Sequence, residues 1–170
     1  GKTTKEIMEQ AVELSYTDSC FPLKLLHGHV AALNDKVDYI LYPCLIRLGR
    51  KEGDENQKYA CPLVQASPFI IRHVLNLGER LLMPIIDFSH GNDDAINNLA
   101  AIATKLGFSR EKGKKAAIAG IEAQQRFEAE RAVLSGRILR QLHQSNELGV
   151  VLLSRAYLSQ DSGANLGIAE

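Results

Sequence analysis

The sequence predicts an α/β fold: a small, mostly parallel sheet flanked by helices in a Rossmann-like three-layer arrangement, with a long C-terminal helix. Three observations predict it. Stretches of helical periodicity alternate with short apolar runs. Those runs are fully apolar and partly β-branched or aromatic, as strands buried on both faces are. Prolines stand at predicted helix starts, where a missing N–H would have no intrahelical partner anyway.

The elements follow in order. "TTKEIMEQAVEL" places Ile7, Met8, Ala11, Val12 and Leu14 on one helical face, with Thr3 or Thr4 as the N-cap. Pro22 opens a second helix that runs to about Asn34. "KVDYILYP" reads as a buried strand closed by Pro43, and "RLGRKEGDENQKY" as an exposed loop. Pro62 opens a third helix, with an interruption expected near Pro68. "RLLMPIIDF" is a second strand, in which Pro84 suggests an edge or a bulge. A helix capped at Asn92 or Asp93 stops at Gly107, and a long helix runs from about Arg110 to His143. "GVVLLSRAY" is expected to be a third strand. Residues 1–147 are read as one α/β domain, and 148–170 as its last strand or the start of a second α/β unit. The abrupt ends at Gly1 and "GANLGIAE" read as those of a piece of a longer protein.

Composition bounds the function. A chain of 170 residues, 45% hydrophobic and 24% charged, can bury a core without disulfides. Twenty basic and twenty acidic residues cancel, which disfavours nonspecific nucleic-acid binding. "REKGKK" at 110–115 reads as a solvated helix face. No apolar run is long enough to span a bilayer, and no signal peptide is visible, so a cytoplasmic location and no membrane partner are expected. "GKTT" at the front matches only the tail of a P-loop, without its preceding strand or first glycine.

Chemistry concentrates on three cysteines, an odd number that argues against a disulfide framework. Cys20 and Cys61 precede the helix starts at Pro22 and Pro62, where unpaired N–H groups and the dipole favour a nearby thiolate. Cys44 follows a strand, at the sheet edge where ligands gather in α/β folds. Three thiolates brought together need a cation. Zinc lacks its usual C-x₂-C knuckle here, whereas three cysteines can hold a cubane with one iron left open. Buried, inert thiols are the other reading, and spacing leaves both open.

The order "CFPLKLLHGHV", "VDYILYPC", "CPLVQASP" resembles the 2-hydroxyacyl-CoA dehydratase superfamily, and more narrowly the CoA-substrate-specific enzyme activases. Their C-[FY]-P-x-K-x-x-H-G-H, P-C and C-P-x-V motifs are legible at Cys20–His29, Pro43–Cys44 and Cys61–Val64. "GVVLLSRAYLSQDSGANLGI" is similar to a later family stretch but departs from it at Ser154 and Ala156. The resemblance implies an iron–sulfur cluster (4Fe-4S or related, open to loss in air) held by Cys20, Cys44 and Cys61. It also implies an ATPase activator module in the same or another chain, an acyl-CoA substrate and an oligomeric full-length form. The module would pass low-potential electrons to a CoA thioester or partner.

Around the thiols, Lys24 and His27 are candidates to hydrogen-bond a cluster or bound acyl group, with His29 beside them. Alternatively Gly28 serves helix packing and the histidines satisfy buried carbonyls. Gln65 and Ser67 could reach sulfur or serve as ordinary helix-start residues. His90 stands in a loop, and Arg155, Tyr157, Asp161 and Asn165 read as part of a site completed elsewhere. A docking or regulatory domain with vestigial or zinc-binding cysteines is the competing function. A thiol enzyme using Cys20 is weaker, since His27 and His29 lie about two helical turns away.

Overall fold

The computed structural model describes residues 2–15, 18–49, 59–145, 147–155, 159–165 and 167–168. It is a mixed α/β structure with small parallel sheets, flanking helices and a long C-terminal helix. The chain divides into two compact units, Gly1–Asn98 with Ser154–Glu170, and Leu99–Leu153.

In the first unit, α1 (Lys5–Glu13) starts at Thr4, whose hydroxyl accepts the Ile7 amide at 3.3 Å. It packs on α2 (Phe21–Asn34) at Gly28, where an added Cβ would lie 2.9 Å from the Ala11 Cβ and inside contact with the Ile7 carbonyl. Only glycine allows that approach. Cys20 is the N-cap of α2, makes no side-chain cap bond, and precedes Pro22 as expected.

The strands come in interrupted pairs. β1 (Ile40–Leu41) pairs parallel with β3 (Leu81–Leu82), and β2 (Cys44–Arg47) with β4 (Ile85–Asp87). Hydrogen bonds cross the gap, from Tyr42 N to Leu82 O and from Cys44 N to Pro84 O, both 2.9 Å. In a parallel pair one residue's N–H and C=O point the same way, so Pro84 accepts from Cys44 but has no N–H to return. The ladder breaks there for want of a donor. Pairing resumes at Cys44, so this residue lies inside the strand rather than beyond its end, as sequence reading had it.

Two further expectations change. α3 (Pro62–Val74) runs through Pro68 without a break, forgoing one intrahelical bond while burying the ring completely. Asn76, at φ 49°, then turns the chain, with Leu77 N bonded to Arg72 O at 2.9 Å. Residues 149–155, the described part of the expected third strand at 149–157, carry no strand, and Leu148, Val150 and Leu153 are over nine-tenths exposed. Apolar, β-prone residues form a strand only when a neighbour completes their hydrogen bonds.

The core of the first unit joins Val30, Ile40, Ile71, Leu77 and Leu81 from helices and strands alike. Asp161 and α6 (Ser162–Asn165) belong to this unit, with Gly163 against the Thr3 carbonyl so closely that no side chain fits. α4 (Asp93–Lys105) contributes residues to both units and ends at Gly107, φ 81°, as its sequence predicts. In the second unit, α5 (Arg110–Ser145) touches α4 at Gly113, where a Cβ would stand 2.7 Å from the Ala100 carbonyl and the Ala103 Cβ. Only Gly113 and Ala117 of α5 are buried.

Candidate functional site

β1 and β3 are parallel, and each follows its helix after a single reversal, so α2 and α3 point the same way. A hydrogen bond from His27 Nε2 to Ser67 Oγ, 2.8 Å, joins them seven residues after Cys20 and six after Cys61. At about 1.5 Å per helical residue, the two N-caps lie at similar heights beyond that link. Cys20 and Cys61 therefore occupy one end of the helix pair, and both are exposed.

Cys44 reaches the same end from the sheet. Its thiol donates to the Gln65 carbonyl at 3.3 Å, in the first turns of α3, and the residue is only 2% exposed. Burial pushes this thiol's pKa up, favouring the protonated form. All three cysteines are free. Among the described residues, no group of three or more His, Cys, Asp or Glu is placed to hold a metal ion.

Other candidates have partners of their own. His27 is buried and bonded to Ser67, whose hydroxyl also meets the Tyr42 hydroxyl at 2.5 Å. Burial lowers the pKa of His27, keeping the ring neutral, and raises that of Tyr42 against the opposing Ser67 bond. His27 thus satisfies a side-chain hydroxyl rather than a backbone carbonyl, and the Ser67 hydroxyl is engaged by His27 and Tyr42. Lys24 follows Cys20 by one turn, its amide bonded to the Cys20 carbonyl at 3.2 Å. Gln65 donates its side-chain amide to the Ala60 carbonyl at 2.7 Å. His90 and Arg155 are exposed, while Ala156, Tyr157 and most of the 47–59 loop fall outside the described residues.

His29 belongs to a second polar group. Thr3 Oγ1 donates to Asp161 Oδ2 at 2.6 Å and lies 3.1 Å from His29 Nε2. The hydroxyl's one proton goes to Asp161, so His29 Nε2 is the donor to Thr3. The Thr3 hydroxyl, with the Gly163 and Ala164 amides, holds the Asp161 carboxyl below its ordinary range. Asn165 braces its own turn, donating to the Ser159 carbonyl at 3.1 Å. Thr3 and Tyr42 were invisible as polar hubs in the sequence. The front "GKTT" offered a cap and a false phosphate motif, and Tyr42 read as one more strand residue.

At the carboxyl end of β2 and β4, Arg47 and Asp87 form a two-point ion pair, with Nη2 to Oδ2 at 2.6 Å and Nε to Oδ2 at 2.9 Å. The Arg47 guanidinium holds the Asp87 carboxyl far below the usual carboxylate range. The Tyr59 ring centre lies 5.6 Å from Arg47 Cζ. Among the described residues, no helix is long and apolar enough to cross a membrane.

The chain matches the family model described as "CoA enzyme activase uncharacterised domain (DUF2229)" over residues 1–170. No curated protein and no solved structure matches the chain.

Proposed function

The chain belongs to the CoA enzyme activase domain family, and from that premise we propose that it is the iron–sulfur redox module of an ATP-dependent system of the 2-hydroxyacyl-CoA dehydratase type. Cys20, Cys44 and Cys61 would be the ligands. What supports this reading is the position of Cys20 and Cys61 as N-caps of α2 and α3 and of Cys44 against the first turns of α3, although among the described residues the three are not grouped as a metal site.

The donor set fits such a group in its chemistry. Three free thiols are available, and neither exposed one caps its helix with its side chain. A bound cluster supplies one-electron transfer at low potential. The chain's own residues do the rest. Cys20 and Cys61 stand where helix amides and dipoles favour negative charge. Cys44 must give up its proton and its bond to the Gln65 carbonyl, a change driven only when a cation replaces the proton. Lys24, one turn into α2, adds positive charge near an anionic group. His27 is committed to Ser67 through Nε2. The electron source would be an ATPase activator module in the same or another chain, the acceptor an acyl-CoA or a partner, and the setting cytoplasmic.

The burial of Cys44 as a hydrogen-bonded thiol favours a second reading, a docking or regulatory domain of the same fold with vestigial or zinc-binding cysteines. Iron and acid-labile sulfide, measured on protein prepared and reconstituted without oxygen, decide between them. The redox reading expects a brown protein with both elements bound, and a sharp loss of occupancy in Cys20→Ser, Cys44→Ser and Cys61→Ser with the fold retained. Colourless protein, or stoichiometric zinc in its place, overturns it.

A further inference from the structure

The Gln65 side chain bonds a backbone carbonyl, yet it ties together the two chain segments that carry Cys44 and Cys61. Its backbone carbonyl accepts the Cys44 thiol at 3.3 Å. Its side-chain Nε2 donates to the Ala60 carbonyl at 2.7 Å, fixing the peptide that leads into Cys61. The Ala60 amide donates in turn to the Ile46 carbonyl of β2 at 2.9 Å, two residues beyond Cys44. The Gln65 amide closes the first turn of α3 on the Cys61 carbonyl at 3.0 Å. The result is a closed ring of hydrogen bonds running Cys44, Gln65, Ala60, Ile46 and back along the strand.

We infer that Gln65 is a positioning residue that presets Cys61 against Cys44 before any ligand arrives. The inference rests on the proposed thiol site but names a residue that site does not include. Without the side-chain amide, the Ala60 carbonyl loses its partner, only the preceding peptide stays tied to the strand, and Cys61 samples more directions. A chelating ion then has to order that segment as it binds, which lowers affinity without touching a ligand. No neighbouring side chain is described that replaces the lost donor.

Cadmium alone is a suitable probe, because its thiolate complexes absorb in the ultraviolet and need neither iron nor sulfide. Titration of the iron-free chain is expected to show a band that disappears in Cys44→Ser and Cys61→Ser. Gln65→Met, similar in length but without the donor, should weaken cadmium binding about fivefold, the size of one ordinary hydrogen bond. Its far-ultraviolet circular dichroism and the alkylation rate of Cys20 should stay at wild-type values. Unchanged affinity in Gln65→Met overturns the inference, and so does wild-type protein that shows no cadmium band dependent on Cys44 and Cys61. Failure of iron and sulfide to bind wild-type protein that does bind cadmium would overturn the redox reading and leave the role of Gln65 standing.

Discussion

α3 and α5 are both amphipathic enough to be read as helices from sequence, yet they end in opposite circumstances. The 13 residues of α3 bury Ser67, Pro68 and Ile71 completely or nearly so, and hold a polar network within the core. The 36 residues of α5 bury only Gly113 and Ala117, and Phe127 and Val133 remain more than half exposed. Periodicity announces a helix in each case. Burial depends on what stands opposite, which no local pattern encodes. A substitution therefore tells the two regions apart by its size rather than its kind.

Steric tests at glycine give the widest separation. Gly28→Ala forces a Cβ into the Ile7 carbonyl and the Ala11 side chain, and should lose about 1–3 kcal/mol in a urea melt. Gly113→Ala should behave alike in the second unit, since Ala100 and Ala103 crowd it. Gly120→Ala, with nothing within 4 Å, should instead gain up to about 1 kcal/mol of helix stability. Equal effects at Gly28 and Gly120 would erase the distinction between packed and open helix faces.

The polar network should come next. Ser67→Ala leaves His27 and Tyr42 each without its partner in the core, at a loss of about 1–3 kcal/mol. Phe127→Ala on α5 should change stability by no more than about 0.5 kcal/mol.

The pH response should be smaller and confined to the first unit. The folded pKa of His27 lies below 6.5, so the unfolded chain takes up its proton first as pH falls, and stability is lost below about that value. Asp87 and Asp161, also lowered, from 3.8, contribute stability that is present above that value and disappears further into acid. Cys44 and Tyr42 are raised from 9.0 and 10.0, so their contribution is intact below those values and lost as pH rises through the folded ones. Unfolding monitored across pH should show a plateau from about 6.5 to 9. Its acid edge should shift downward in His27→Gln, and an unmoved edge would remove His27 as its source.

Much of this architecture was legible in the residues. Pro22 and Pro62 announced helix starts, Gly107 a helix stop, and the apolar runs around Ile40 and Leu81 a parallel pair. The placement of Cys20 and Cys61 at N-caps followed from the prolines beside them. The partners of His27, His29 and Asp161 did not follow, because Ser67 lies 40 positions from His27, and Thr3 lies 26 from His29 and 158 from Asp161.

By itself, the order of residues determined where helices begin, where they stop and which segments favour extended backbone. Those are short-range outcomes of backbone sterics, missing amides and side-chain period. The tertiary structure alone decided that Cys44 is sealed against Gln65 while Cys20 and Cys61 stay exposed, and that "GVVLL" gains no strand partner. Burial and pairing are relations between distant segments, and their free energy arises only when the chain closes on itself.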